Sequence, residues 1–278
     1  MMAIASGVWA GAIPLEKAWN LVEVSPGEDG KKKTIKEELE RINFLGTTEA
    51  CHKENPFAAH FELHIEQGPI LEKEQKRVGI VQGVQAFKWF EITVKGRDTH
   101  AGTTPFSARM DPTLCAAKLI VRSNSIAKDV GGLATTGIMQ TIPGSINTMA
   151  HTVNFTLDIR HATDDQLAEI EHRCRADFTR IAAEESERGC TVDLKELVNS
   201  PAVVFHQDCI EVVRSSAMEA VKGLTVTAKN KKMLKDMISG AGHDSCYTNQ
   251  QCPTGMIFVP TKEGISHNPQ EYCSPEDW

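Results

Sequence analysis

No stretch of this 278-residue chain stays apolar for the roughly 18 residues that a membrane-spanning helix needs. Basic residues are not in excess either. The 30 Lys and Arg stand against 37 Asp and Glu, and the net charge of -7 disfavours nucleic acid or an anionic membrane as the main partner. The one basic run, Lys31-Lys32-Lys33, follows Gly30 and reads as a solvated loop. The eight cysteines never take C-x-x-C spacing, which in a chain this long suggests reduced, mostly buried thiols and a cytoplasmic setting. The apolar opening MMAIASGVWAGAIP lacks a positively charged start and is broken by Ser6 and Gly7, so it is not read as a secretory leader. A G-x-S-x-G nucleophile elbow, an internal repeat and a low-complexity tract are missing too.

What is present is ordinary for a globular protein, 41% hydrophobic and 24% charged, with enough chain for one large or two moderate domains. The first 58 residues read as helix-rich. PLEKAWNLVEV starts at Pro14, TIKEELERINF is capped by Thr34, and a turn lies between them at SPGEDGKKK. HFELHIEQGP, residues 60–69, alternates as a buried strand would, with Phe61, Leu63 and Ile65 on one face and Glu62, His64 and Glu66 on the other. A charged turn and a further strand follow.

From about residue 86 the order is strand, helix, two strands, helix, strand. The strands are KWFEITVKG, LATTGIMQTIPG, HTVNFTLDIRH and CTVDLKELV. The first helix has Asp111 as cap and Pro112 at its first position; the second carries an apolar stripe of Leu167, Ile170, Cys174, Phe178 and Ile181. That order is a ferredoxin-like split βαβ unit, complete in itself and inserted into a second domain. The expected boundaries are 1–85 and 199–278 for the split α/β domain and 86–198 for the insert. The second segment brings a helix at HQDCIEVVRSSAMEAVKGL and strands at MLKDMISGAG and TGMIFVPT.

Several residues carry candidate chemistry, each with a plainer alternative. His64 is either a satisfied strand histidine or a metal ligand that needs further His, Asp or Glu nearby. His267, in GISHNPQE, sits in a loop after an apolar strand, where α/β folds present functional groups. SGAGHDSC offers His243 as a catalytic polar group for a substrate or a tetrahedral intermediate, or as half of a turn-stabilising His-Asp pair. A Ser/His/Asp triad within that one short segment is discounted, because triad members come from separate segments. His100 lies in a rigid loop, GRDTHAGTTP, and Asn147 follows a Pro-Gly turn. Arg160, at a strand exit, has the fork that clamps a carboxylate.

HFELHIEQGPILE, HAGTTP, SINT, DIRH, SGAGHDS and GISHNPQEY occur in this order around the inserted unit. The combination resembles the M20-type metal-dependent amidohydrolases: N-carbamoyl-L-amino-acid hydrolases, allantoate amidohydrolases and β-ureidopropionases, with SPAVVFH and FTLDIRHATDD most like the fungal β-alanine synthases. The resemblance covers essentially the whole chain. It implies a zinc-peptidase-like α/β catalytic domain with an inserted α+β lid and dimerisation domain, and a homodimer formed through that lid. It implies a site of two divalent metals, zinc first and Mn, Co or Ni as alternatives, that hydrolyses the ureido C–N bond of an N-carbamoyl amino acid. By the same resemblance His64 and His267 are metal ligands. Gln67, His243 and Arg160 meet the substrate, with Arg160 on its carboxylate, and His100 and Asn147 complete the neighbouring subunit's site.

The family pattern has five protein ligands, and three of them, with the glutamate base, fall upstream of Ser6-Gly7-Val8-Trp9. The expectation is therefore an incomplete catalytic domain and an inactive chain, truncated at its start and, after the cap-like Ser274, at its end. Two other readings compete: a catalytically dead binding or dimerisation module, and a related aminoacylase or exopeptidase.

Overall fold

Thr34 opens a helix as the sequence predicts. Its Oγ1 accepts from the Glu37 amide at 3.2 Å, while the Glu37 carboxylate accepts from the Thr34 amide at 2.7 Å, a closed capping box. The computed structural model describes residues 3–24, 30–184, 188–222 and 233–277. Most of the SPGEDGKKK turn and the ends expected for two helices, at 185–186 and 223–224, lie outside the described residues. The chain divides into two units, Met1–Val84 with Val203–Trp278, and Gln85–Ala202.

The first unit begins with three short helices: α1 (Ile4–Trp9), α2 (Leu15–Trp19) and α3 (Ile35–Arg41). The helix expected over PLEKAWNLVEV stops at Trp19, because Val22 pairs as a bridge with Thr34 instead. Strand β1 (His60–Ile65) leads to α4 (Ile70–Lys73), where only a charged turn was expected, and to β2 (Val78–Val84). Glu66 explains α4: its two carboxylate oxygens accept from the Ile70 and Leu71 amides at 2.9 and 2.7 Å.

The second unit runs β3 (Ala86–Lys95), α5 (Pro112–Val130), β4 (Leu133–Thr135), β5 (Met139–Ile142), β6 (Thr152–His161), α6 (Asp164–Glu184) and β7 (Thr191–Ser200). The single strand expected at LATTGIMQTIPG is thus two, both paired to β6 and parted around Gly137. The antiparallel sheet runs β4-β6-β3-β7 with β5 also on β6, so the unit's first strand, β3, lies between its last two, β6 and β7. That is the split βαβ arrangement. Helix α5 starts where Asp111 accepts from the Thr113 and Leu114 amides, and Pro112 occupies the first turn where no donor is needed. All five stripe residues of α6 are buried against Phe90, Ile92, Phe155 and Leu157.

Lys88 extends this core with a charge. Its side chain is 17% exposed and its ammonium donates to Glu171 at 2.6 Å, with Glu196 at 3.5 Å; Arg175 donates to Glu171 from the other side at 2.8 Å. Burial pushes the Glu171 carboxyl up, but the bonds from Lys88 and Arg175 outweigh it and hold it below 4.5; Glu171 in turn raises Lys88 above 10.5. A lowered carboxylate stabilises the fold above its unfolded value and loses that contribution as pH falls. A raised lysine stabilises below its unfolded value and loses it as pH rises. Lys88→Met should therefore cost about 1–2 kcal/mol near neutrality, less than the 3–5 of a fully buried pair because water still reaches the site. In thermal unfolding, the gap to wild type should close as pH drops below the carboxylate range. A constant gap down to strong acid would show that lost packing, not charge, is responsible.

The chain returns to the first unit through β8 (Val203–Val204), α7 (Gln207–Lys222), β9 (Leu234–Ser239), α8 (Ser245–Thr248) and β10 (Thr254–Val259). Strand β2 is central. Strand β9 runs parallel along one of its edges, while β10 and β8 share the other; β1 lies parallel to β10. The core comprises Leu71, Ile80, Val81, Phe205, Ile210 and Phe258 with their neighbours. Phe61 and Leu63 are not part of it. They are 47% and 44% exposed and line an open groove of about 480 Å³ with Val212, Val213 and Ala217. The alternation is as expected, but β1 pairs only with β10 among the described residues, and its apolar face is left half open.

Candidate metal centre

The other face of β1 carries the chemistry. Glu62 and His64, two residues apart on a strand, point the same way. His64 lies in register with Phe258 on β10, and the His243 ring stands edge-on to both, with centroids 4.6 Å from His64 and 5.6 Å from Phe258. One ligand atom from each of Glu62, His64 and His243 lies within 4.8 Å of the other two.

Each of the three is held by its outward polar atom. His64 Nδ1–H donates to the Ile65 carbonyl at 2.8 Å. Glu62 Oε2 accepts from the Ser245 amide at 2.9 Å and the Ser245 hydroxyl at 2.6 Å, which also fixes the start of α8. His243 Nε2 meets Ser239 Oγ at 2.8 Å, while its Nδ1 stands 3.9 Å from Glu62 Oε1. Burial pushes His243 down to about 4, and the adjacent His64 adds to this against the pull of Glu62, so the ring is neutral at physiological pH. Neutral imidazoles and a carboxylate are the donor types that zinc takes, so the residues present fit a divalent cation.

A second cluster adjoins it. Gln67 takes a left-handed backbone (φ 58°), as does His267 (φ 56°). Gln67 donates from its amide nitrogen to Ser266 Oγ at 2.9 Å and lies 3.3 Å from His267 Nε2, while its backbone N–H donates to Thr261 Oγ1 at 3.0 Å. Glu271 accepts from Ser266 Oγ and the His267 amide, and these bonds hold its carboxyl below the usual range, with His267 and His64 adding to the effect. Two strained non-glycine residues side by side are a feature of functional loops. His267 is exposed and stands outside the three-residue cluster.

The remaining predicted residues belong to the second unit. His100 and Asn147 come together there: the Ala101 amide donates to the Asn147 carbonyl at 2.9 Å, and His100 bridges to Thr148. His100 Nδ1 accepts from the Gly102 amide at 3.1 Å, which leaves its outward Nε2 as the donor. Arg160 is already engaged. Its Nε donates to Asp158 at 2.9 and 3.1 Å, its Nη2 donates at 2.5 Å, and the guanidinium stands 5.3 Å from the Phe87 ring.

Sequence reasoning named His64 as a metal ligand and His243 as a residue that meets the substrate, and did not name Glu62, although the two-residue spacing on β1 carried that signal. It set Ser239 aside as a triad member. The structure does join Ser239 to His243, but at 1% exposure the serine orients the ring and no substrate carbonyl can reach it.

An N-carbamoyl-L-amino-acid amidohydrolase from Rhizobium meliloti is 34% identical over 275 residues, which is 98% of this chain and 61% of that protein. Another, from Paenarthrobacter aurescens, is 36% identical over 221 residues, 79% of this chain and 50% of that protein. The crystal structure of an amidase of the hydantoinase/carbamoylase family from Burkholderia multivorans matches with a TM-score of 0.81 at 40% identity, covering 99% of this chain and 62% of that one. The chain thus spans between 50% and 62% of the length of these relatives. Over residues 23–278 it matches peptidase family M20/M25/M40, and it is a member of that family with the fold of the hydantoinase/carbamoylase amidases.

Proposed function

We propose that this chain is the larger part of a metal-dependent amidohydrolase that cleaves the ureido C–N bond of N-carbamoyl amino acids, releasing the amino acid, ammonia and carbon dioxide. The observation that carries the reading is the convergence of Glu62, His64 and His243 beside the Gln67–His267 loop pair, in a chain 34% identical to an N-carbamoyl-L-amino-acid amidohydrolase. A divalent cation at such a site, zinc by the donor set, supplies an activated water and polarises a carbonyl.

The chain's own residues supply the rest. His64 is a cation donor, and His267 serves a second cation position. Gln67, pinned in its left-handed turn, presents its side chain to the ureido group. Arg160 receives the substrate carboxylate, its guanidinium already oriented by Asp158 and Phe87. His100 offers an Nε2–H donor and Asn147 an amide, both to the site of a second copy in a homodimer. Turnover requires donors beyond these 278 residues, including a general base, so the isolated chain is inert.

Ammonia release from N-carbamoyl-L-alanine and N-carbamoyl-β-alanine tests this, with the Burkholderia multivorans amidase measured alongside. The chain alone should release none with zinc present, and should do so once joined to the part of that amidase that it does not span. In the joined enzyme, Arg160→Ala should raise KM by about 10²-fold, the loss of a charge-assisted bidentate contact of about 3 kcal/mol. An unchanged KM would remove the carboxylate assignment, and activity in the isolated chain would overturn the need for further donors.

A further inference from the structure

We infer that Arg109 is the positioning residue for His100: by holding the Ala101 carbonyl it aims the Gly102 N–H at His100 Nδ1, and so fixes the ring with its proton on Nε2. The inference takes from the proposed function only what His100 does with that proton. How the ring is held is read by NMR, without turnover.

His100 lies in the segment 96–111 that joins β3 to α5 and holds one short 3-10 turn, Phe106–Ala108. A segment that long keeps a fixed shape only where its backbone groups find partners. Its ends are clipped together by the Arg97 amide, which donates to the Met110 carbonyl at 3.0 Å. Between them Arg109 reaches back into the loop. Its Nε donates to the Thr104 carbonyl at 3.0 Å and its Nη2 to the Ala101 carbonyl at 2.7 Å, while the guanidinium carbon stands 4.8 Å over the Phe106 ring. Among the described residues no backbone amide reaches either carbonyl, so the guanidinium takes the place of a backbone donor at both.

The link to His100 is a single peptide plane. The Ala101 carbonyl and the Gly102 amide belong to one peptide unit, which is rigid, so holding the C=O sets the direction of the N–H. That N–H donates to His100 Nδ1 at 3.1 Å. An acceptor at Nδ1 leaves the neutral ring its proton at Nε2. The preceding peptide unit is tied at both ends too: Thr104 Oγ1 donates to the His100 carbonyl at 2.9 Å, and the Ala101 amide to the Asn147 carbonyl at 2.9 Å. His100 is exposed, so packing does not hold its ring and the Gly102 bond does. Lysine could not replace Arg109. The planar fork meets the carbonyls of residues 101 and 104 together and lays a flat face on Phe106, whereas an ammonium is a point charge.

Nitrogen-15 NMR of the 278-residue chain tests this. Wild type should show a nitrogen–nitrogen coupling between Gly102 and His100 Nδ1, the signature of an N–H···N hydrogen bond. Arg109→Lys should lose that coupling although it keeps the charge. Because a loop variant can misfold, wild type supplies a second reading: couplings from Arg109 Nε and Nη2 to the Thr104 and Ala101 carbonyl carbons. In the joined enzyme, Arg109→Lys should lower kcat/KM about tenfold alone but less than about twofold beside His100→Ala, since the arginine acts through the ring. The inference is overturned if folded wild type lacks these couplings, if folded Arg109→Lys keeps the one to His100, or if the two substitutions act additively. A joined enzyme without activity would count against the proposed function and leave the couplings to decide here.

Discussion

Phe258→Ala should destabilise the first unit by about 3–5 kcal/mol, the cost of emptying a well-packed aromatic site. Phe258 is 1% exposed on β10 and packs with Leu71, Ile80 and Met256. It lies across from Gly79 on β2, where an added Cβ would stand 2.9 Å from the Phe258 Cβ, so the strands are already too close to collapse into a void. The ring also forms one wall of the His243 site. Two effects should therefore appear together: faster hydrogen exchange of the β10 and β2 amides, and shifted, broadened NMR signals of the His243 ring as it loses its support. Phe61→Ala provides the contrast. At 47% exposure on the open groove, Phe61 should cost about 1 kcal/mol, since only half its surface leaves water. Equal losses from the two variants would mean that β1 is covered after all and that the core is wrongly placed.

That contrast shows where sequence reasoning reaches its limit. Alternation reports which residues share a face of a strand, and it sorted β1 correctly. It does not report whether anything packs on that face, which depends on neighbours distant in sequence. Helix α6 was legible for the converse reason, because a five-residue stripe at helical spacing needs a partner surface, and the adjacent sheet supplies it. The start of α5 was legible because its cap is purely local. The break between β4 and β5 was not, since Gly137 only weakens a strand and the pairing to β6 decides where it stops.

The site divides in the same way. Glu62 and His64 are fixed by a spacing of two, and the Gly-rich approach to His243 marks a close turn. That His243 meets His64 depends on β1 lying parallel to β10, a pairing no local pattern encodes. Nor does composition show that Asp158 already clamps Arg160; two charged residues flanking Ile159 on one strand read equally as a solvated face.

Gly264→Ala should cost about 2–5 kcal/mol, and Gly30→Ala only about 1, although both glycines have the same kind of backbone. Gly264 has φ +67° and Gly30 has φ +72°, so alanine pays a similar conformational penalty at each. The surroundings differ. Among the described residues nothing lies within 4 Å of a Cβ added to Gly30, whereas one at Gly264 would stand 2.8 Å from the Pro69 nitrogen and 2.9 Å from the Gly68 carbonyl carbon. Those are backbone atoms of the turn that holds Gln67, and they cannot swing aside as a side chain would. Relief must come from separating the two loops, which breaks the Gln67 bonds to Thr261 and Ser266 and frees the left-handed turns at Gln67 and His267. Urea unfolding should separate the two variants, and NMR of the Gln67 side-chain amide should show its protons shifted toward solvent values only in Gly264→Ala. A similar small cost at both positions, with the Gln67 amide unmoved, would show that the loops do not press on one another and that some other contact holds His267 in its strained turn.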